Sequence, residues 1–171
     1  YMNGYYTMVA SSHKHRTHTD SITAFSNTGL VGGIILLLSS MTDEIKKLLA
    51  QSKIPTVLIG GGRNKHEFDT VSIDNYQGAF NATEYLIKKK GFTKIAHITG
   101  PIENDDAFLR KKGFNDACKM NGISINKNFI VEGDFTRESG YQSFINLYAS
   151  ENRPQAIFAA NDMMALGCYD A

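Results

Sequence analysis

The sequence has little cysteine, no long apolar run and no excess of charge of either sign. Cys118 and Cys168 are its only cysteines, too few for a disulfide framework or a four-ligand zinc site. We interpret both as reduced thiols in small core positions of a cytosolic protein. With 18 Lys and Arg against 17 Asp and Glu, the chain lacks the clustered positive charge that DNA and anionic membranes require. We therefore expect that this chain alone binds neither DNA nor an anionic membrane.

Membrane and export signals are also missing. The longest apolar stretch, Leu30 to Leu38, contains Gly32 and Gly33 and is far shorter than the roughly 20 residues that span a bilayer. No basic segment followed by an apolar core marks a signal peptide near Tyr1. The chain opens on a strand-like segment and stops within a helix-like one, so we expect the fold to be incomplete at both ends.

Short segments rich in Val, Ile, Phe and Tyr alternate with longer helical ones, which predicts an α/β fold with doubly wound parallel sheets. Leu36 and its neighbours form a continuous apolar strand, which is typical of a parallel sheet with helices on both faces. The predicted strands are Tyr6 to Ala10, Gly33 to Leu38, Thr56 to Ile59, Val71 to Ile73, Lys94 to Ile98, Phe129 to Val131 and Ala156 to Ala159. The predicted helices are Met41 to Ser52, Tyr76 to Lys90, Ala107 to Met120, Arg137 to Ser150 and Asp162 to Ala171.

Helix boundaries carry their own signals. Thr42 can cap the first predicted helix, and either Asp74 or Asn75 can cap the second. Gly91 and Gly122 stand where helices would end in the left-handed conformation.

Two local motifs resemble a phosphate-binding loop and a metal site, but neither is complete. The run Gly60-Gly61-Gly62-Arg63 follows a strand, but no Lys-Ser or Lys-Thr pair completes a phosphate loop, so we interpret it as a flexible strand exit. His13, His15 and His18 could hold a metal, but Lys14 and Arg16 repel a cation, and a solvated loop or helix entry is favoured. Because no nucleophilic or metal arrangement is visible, we expect no enzyme activity, no metal and no cofactor.

Four polar or aromatic side chains are predicted to gather at one edge of the second sheet. Asp106 and Arg110 are one helical turn apart after a strand, while Phe135 and Asn161 each follow a further strand. A guanidinium, a carboxylate and an amide can pair with vicinal hydroxyls, and a phenyl ring can pack on a sugar face. From pattern alone, an Asp106–Arg110 surface ion pair with Phe135 in the core explains the same residues equally well.

Several longer segments, taken together and in order, resemble the effector-binding region of the LacI/GalR family of bacterial transcription regulators. The matching segments include Gly33-Ile34-Ile35-Leu36, Ile54-Pro55-Thr56-Val57-Leu58-Ile59, Ser72-Ile73-Asp74-Asn75-Tyr76-Gln77-Gly78-Ala79, Lys94-Ile95-Ala96-His97-Ile98-Thr99-Gly100-Pro101, Glu132-Gly133-Asp134-Phe135 and Pro154 to Gly167. The resemblance covers nearly the whole chain.

The resemblance implies a two-lobed fold like that of periplasmic sugar-binding proteins, each lobe a parallel sheet flanked by helices. The amino-terminal lobe would comprise residues 1–73 and the second lobe residues 74–171. It further implies a cytoplasmic homodimeric repressor that binds a small effector, a sugar or sugar derivative, between its lobes. A DNA operator would be read by a helix-turn-helix head that this chain does not contain.

The family's ligand-binding residues transfer to four positions. Arg110 corresponds to the ligand-binding arginine, Asp106 and Asn161 to polar contacts, and Phe135 to an aromatic that packs on the ligand in some members. Gly60 departs from the pattern, because several sugar-responsive members have a ligand-binding aspartate there. A periplasmic sugar-binding protein of an ABC-type uptake system is the alternative, since it shares the two-lobed design.

Overall fold

The computed structural model describes residues 4, 6–11, 17–38, 40–60 and 68–171. Its strands are β1 (Ile34–Leu38), β2 (Thr56–Gly60), β3 (Asp69–Val71), β4 (Ile95–Thr99), β5 (Ile130–Glu132) and β6 (Ala156–Ala159). Its α-helices are α1 (His18–Ser26), α2 (Asp43–Ser52), α3 (Asn75–Lys88), α4 (Asp105–Met120), α5 (Arg137–Ala149) and α6 (Asp162–Asp170), with a 3₁₀ turn at Lys127–Phe129. The strands form two separate parallel sheets, which confirms the predicted α/β class.

The first sheet has the order β1-β2-β3 and is covered on one face by α1 and α2. Thr42 caps α2 as predicted, its side chain accepting from the amide of Ile45. The shared core consists of Ile22, Leu38, Ile45, Leu49 and Leu58. On the opposite face, Ile35 and Leu37 are 70% and 64% exposed. Within the described ranges, the continuous apolar pattern of β1 is therefore matched by helices on one face only.

The second sheet has the order β5-β4-β6, with helices on both faces. Every residue of the central strand β4 is buried. On one face, Ile95 packs against Phe114 and Cys118 of α4, with α3 alongside. On the other, Ile98 packs against Leu147 of α5 and Met164 of α6. This is the doubly wound arrangement that the strand–helix alternation predicts.

Helices α5 and α6 cross at backbone contact through two glycines. A Cβ built on Gly140 would lie 2.1 Å from the carbonyl oxygen of Met164, and one on Gly167 would lie 1.9 Å from that of Arg137. Arg137 also pairs with Asp170, its Nη2 donating to Oδ1 at 2.6 Å. The absence of side chains at both glycines is what allows this close packing.

A histidine lies inside the second core, which the sequence patterns did not single out. The ring of His97 stacks between those of Phe114 and Phe158, each 4.9 Å away between centroids. Its Nδ1 lies 2.8 Å from the carbonyl oxygen of Phe158 and donates to it. Among the described residues, Nε2 has no hydrogen-bond partner. Burial lowers the pKa of His97 to about 4, so the ring is neutral at neutral pH.

From residue 33 onward the predicted elements match the observed ones closely, except that β3 lies at Asp69–Val71 and not at Val71 to Ile73. Before residue 33 there are two clear differences. The strand predicted at Tyr6 to Ala10 is wrong, since these residues form neither helix nor strand, and Val9 is 88% exposed. Strand propensity is realised only when a partner strand and a buried face are present. Helix α1, which begins at the cap Thr17, was not predicted.

The helix ends and the boundary between the two sheets can be compared with the predictions in the same way. Asp74, not Asn75, caps α3, and Gly91 and Gly122 have the predicted left-handed conformation. The boundary at 73/74 falls between β3 and α3, and the division into two lobes stays a prediction. None of the described helices is long and apolar enough to cross a membrane.

Candidate ligand site

The carboxyl ends of β4, β5 and β6 lie along one edge of the second sheet because these strands are parallel. From each strand the chain continues into a helix whose first amides are capped by Asn104, Thr136 and Asn161. In open α/β sheets, ligands bind at this edge. All four predicted ligand residues lie in these connections or in the first two turns of α4.

Arg110 is held in place by two other elements. Its Nε donates to Oδ1 of Asn75 at 2.7 Å, and its Nη1 donates to the carbonyl oxygen of Ala160. Asn75 is the first residue of α3 and Ala160 follows β6, so the guanidinium bridges the two sides of the sheet edge. Nη2 makes no hydrogen bond to any described residue. Nη2 of the fixed Arg110 guanidinium can therefore donate to an acceptor on a ligand.

Asp106 lies one turn before Arg110 on α4 without pairing with it. The surface ion pair of the alternative interpretation is not formed, and the guanidinium bonds instead to Asn75 and Ala160. Oδ1 of Asp106 is buried and has no hydrogen-bond partner in the described part of the chain. A buried acceptor without a donor costs about 1–3 kcal/mol, so this carboxylate does not serve stability through Oδ1.

Phe135 has a backbone conformation that is rare for residues with a side chain. Its φ is 68°, in the left-handed region where a non-glycine residue carries strain. The ring lies over Gly100, where a Cβ would be 2.2 Å from Cζ of Phe135, and packs against the core that contains Ile98. Phe135 is therefore partly a core residue, as the alternative interpretation held, and it lies where β4 ends.

Asn161 uses its amide for local structure. Oδ1 accepts from the amide of Met164 at 3.0 Å, which caps α6. Nδ2 donates to the carbonyl oxygen of Phe135 at 2.9 Å. The same side chain thus starts a helix and holds the strained aromatic residue, which leaves one N–H for a ligand.

A groove of about 840 Å³ runs along β6 and reaches this edge. Arg110, Asn75 and Asn161 line it, whereas Asp106 and Phe135 are not among its lining residues. The groove therefore brings together two of the four predicted ligand residues and adds Asn75. Its walls come from α3, α5, α6 and β6, with Phe144, Leu147 and Tyr148 on the apolar side.

On the first sheet, β2 ends at Gly60 beside β1. Gly60 has φ 88°, and a Cβ there would lie 2.8 Å from the carbonyl oxygen of Leu38. A side chain at this position would be strained and crowded, which gives a physical reason for the missing aspartate. Residues Gly61, Gly62 and Arg63 lie outside the described residues, as do His13 and His15. His18 is the first residue of α1.

Three titratable groups around the second sheet have pKa values shifted by their surroundings. The carboxylate of Asp134 accepts from the hydroxyl and the amide of Thr136 and lies near the hydroxyl of Ser139, which lowers its pKa to about 2 and keeps it ionised. Burial raises the pKa of the Cys118 thiol to about 11, and that of Cys168 rises for the same reason. Both thiols are free and packed in the cores, as predicted. Among the described residues, no group of His, Cys, Asp and Glu is arranged to hold a metal ion.

Asn75 is the site residue that the sequence patterns missed. The sequence indicates it only as an alternative cap, yet the residue is 5% exposed and its side chain accepts from Arg110. These two residues are 35 positions apart in the chain, so no local spacing could indicate their contact. The sequence offered only the presence of an Asn directly after Asp74, at the start of a predicted helix.

Two curated relatives resemble this chain over 82% of its length. The HTH-type transcriptional repressor PurR of Klebsiella pneumoniae (strain 342) is 37% identical over 143 residues, which are 42% of that protein. The ribose operon repressor of Escherichia coli (strain K12) is 34% identical over 142 residues, or 43% of its length. The chain thus spans less than half the length of these two relatives.

Solved structures agree with this similarity. A LacI-type transcriptional regulator from Bacillus cereus subsp. cytotoxis NVH 391-98 superposes with a TM-score of 0.82 and 35% identity, covering 91% of this chain and 56% of that one. The transcriptional regulator CelR–cellobiose complex superposes with a TM-score of 0.79 and 28% identity, covering 91% and 48%.

Parallel sheets flanked by helices, with polar side chains gathered where the strands of one sheet end, define an α/β ligand-binding module. Residues 83–171 match the family of periplasmic binding protein-like domains. The chain belongs to this family, in the form that LacI-family transcription regulators carry. The resemblance seen in the sequence is thereby confirmed.

Proposed function

We propose that this chain is the effector-sensing core of a cytoplasmic, homodimeric LacI-family repressor, and that its effector is a sugar or sugar derivative. Arg110, Asp106, Phe135 and Asn161 contact the effector. DNA binding belongs to a helix-turn-helix head elsewhere in the full protein. The relatives named above are regulators, and this supports the repressor over the uptake-protein alternative.

The anchored guanidinium of Arg110 carries the proposal. Among the described residues it is fixed by Asn75 and Ala160 and has no partner at Nη2. It lies one turn from a carboxylate oxygen of Asp106 that likewise has no hydrogen-bond partner in this part of the chain. A sugar hydroxyl both donates and accepts, so it suits a donor and an acceptor on neighbouring turns of one helix. The ring of Phe135 supplies an apolar surface at the end of β4 for the face of a sugar ring.

The names of two relatives support the same chemical class. One solved relative is a complex with cellobiose, and one curated relative is the repressor of a ribose operon. Because the position of Gly60 has no room for an aspartate, the first sheet contributes other groups than the aspartate of several sugar-responsive members.

The effector acts by changing the balance between open and closed arrangements of the two sheets. A ligand shifts such an equilibrium only by its differential affinity for the two states, and closure about the segment between β3 and α3 supplies that difference. Coupling to DNA binding is reciprocal and amounts to about 1–3 kcal/mol.

A thermal-shift screen of the full natural protein with D-ribose, cellobiose, D-ribose 5-phosphate and hypoxanthine tests the effector class. A compound that binds only the folded state raises the melting temperature by mass action. We expect a sugar or sugar phosphate to do so. Stabilisation by hypoxanthine alone would contradict a sugar effector.

Calorimetric titration of the compound that binds then tests the site. We expect Arg110→Ala to weaken its affinity by at least about tenfold, the value of one charge-assisted hydrogen bond. The matched control is Lys88→Ala, which removes an exposed cation that pairs with Glu84 at 2.7 Å, outside the residues that line the groove, and leaves affinity unchanged. Equal affinities of wild type and Arg110→Ala would remove Arg110 from the site.

The coding sequence upstream of Tyr1 tests the regulatory role separately. A helix-turn-helix segment there supports the repressor. A signal peptide there would instead establish the uptake-system alternative, with the ligand site retained.

A further inference from the structure

We infer that Asn75 is a positioning residue that fixes the ligand-binding guanidinium of Arg110. The inference rests on the proposed function, since it assigns a role within the same site. Asn75 is 5% exposed, and its Oδ1 accepts from Nε of Arg110 at 2.7 Å. A buried amide with a charged donor forms a strong and well-oriented contact.

The position of Asn75 in α3 does not itself require this side chain. Asp74 caps the helix, its carboxylate accepting from the amide of Gln77 at 2.9 Å. The amide of Asn75 donates to the carbonyl oxygen of Ile73 at 3.0 Å, a bond that any residue except proline could make. The carboxamide of Asn75 therefore serves Arg110 and not the helix.

Two acceptors from different elements determine where Arg110 points. The Nε contact fixes the guanidinium to α3, and the Nη1 contact fixes it to the carbonyl of Ala160 after β6. A long flexible side chain held at two nitrogens is restricted in rotation, which keeps Nη2 in one place. Because small displacements of a binding group cost affinity steeply, loss of the Asn75 acceptor weakens binding although Asn75 need not touch the ligand.

The Arg110–Asn75 hydrogen bond also joins two different helices. Asn75 directly follows the segment that connects β3 of the first sheet with α3, whereas Arg110 lies on α4. The guanidinium of Arg110 is thus hydrogen-bonded to the first residue of α3, the helix that follows the connection from the first sheet.

Side-chain nitrogen NMR of the full natural protein tests the contact without any ligand. The Nε–H resonance of Arg110, assigned by its loss in Arg110→Lys, is expected to exchange with water about tenfold more slowly than in Asn75→Leu. Asn75→Asp, which retains an oxygen acceptor, restores the slow exchange. Gln77→Leu is the matched control, since it removes an exposed side-chain carboxamide of the same helix whose partner among the described residues is Asn81. Equally fast exchange in wild type and Asn75→Leu would overturn the inference.

Titration with D-ribose separates this inference from the proposed function. We expect Asn75→Leu to weaken D-ribose binding about tenfold, with recovery in Asn75→Asp and unchanged affinity in Gln77→Leu. A loss in Arg110→Ala without one in Asn75→Leu would overturn positioning while leaving the site intact. If Arg110→Ala binds D-ribose normally, the proposed site fails. If wild type does not bind D-ribose, the exchange measurement alone decides the role of Asn75.

Discussion

Asn161 holds Phe135 in a left-handed backbone conformation. The Nδ2 of Asn161 donates to the carbonyl oxygen of Phe135 at 2.9 Å, and Phe135 has φ 68°. Because Oδ1 of the same amide caps α6, one side chain fixes both the start of a helix and the aromatic residue at the sheet edge. A residue expected to contact ligand thus has a structural role that is independent of any ligand.

Replacing Asn161 with Ala should destabilise the fold by about 2 kcal/mol. The cap contributes about 1 kcal/mol and the bond to Phe135 a similar amount. Urea denaturation measures the change. Asn161→Asp keeps the cap acceptor and loses only the donor to Phe135, so it should cost about half as much. Thr42→Ala, which removes the cap of α2 alone, should also cost about 1 kcal/mol. A loss in Asn161→Ala no larger than that in Thr42→Ala would contradict a second role.

Asp106→Asn should leave stability almost unchanged while ligand affinity falls. Oδ1 of Asp106 has no partner to lose among the described residues, so the free energy of unfolding should change by less than about 1 kcal/mol. Urea denaturation and calorimetric titration check the two halves of this expectation. The comparison variant is Asn104→Ala, which removes the cap that bonds the amide of Ala107 at 2.8 Å and should cost about 1 kcal/mol. Strong destabilisation by Asp106→Asn would show that the carboxylate is structural.

Stability should decrease on acidification because of His97. The folded-state pKa is about 4 against an ordinary value of 6.5, so the unfolded chain binds the proton more readily. The contribution of neutral His97 to the free energy of unfolding is fully present above pH 6.5. It is lost progressively as the pH falls towards 4. Between pH 7 and pH 5 this group alone should remove about 2 kcal/mol.

Urea denaturation of wild type and His97→Phe at both pH values isolates the histidine. The variant keeps an aromatic ring between Phe114 and Phe158 but cannot titrate. The wild type should lose about 2 kcal/mol more than the variant between the two pH values. Parallel losses in both proteins would show that other groups cause the acid sensitivity.

Gly167→Ala should destabilise the second core strongly, whereas Gly78→Ala should not. A methyl group on Gly167 would lie 1.9 Å from the carbonyl oxygen of Arg137, and backbone cannot yield as a side chain can. We expect a loss of about 3 kcal/mol, the upper range for overpacking. At Gly78 on α3 no atom of the described residues beyond the local helix backbone lies within 4 Å of the added carbon, so helix propensity should stabilise the protein by up to about 1 kcal/mol. Similar melting temperatures for the two variants would contradict the close crossing of α5 and α6.

The fold was largely accessible from local patterns. The strand over Ala156–Ala159 and the helix that begins at Arg137 were predicted with correct starts, because apolar periodicity and capping residues are properties of adjacent positions. The segment Tyr6 to Ala10 has the composition of a strand, but pairing depends on a neighbour that composition does not reveal. The exposed face of β1 was missed for the same reason. In the sequence, Ile35 and Leu37 indicate an apolar surface, but they do not show whether a helix packs against it.

The sequence by itself determined the class of fold and indicated the edge of the sheet at which we propose the site, with the residue types found there. Only the tertiary structure decided which groups are already occupied and which are left over. Arg110 is bound by Asn75 and Ala160 and not by Asp106, and Asn161 is occupied by Phe135 and Met164. The physical reason is that helix and strand formation follow from spacing along the chain. The partner of a hydrogen bond between residues 35 or 50 positions apart is instead set by how α3, α4 and β6 pack in three dimensions.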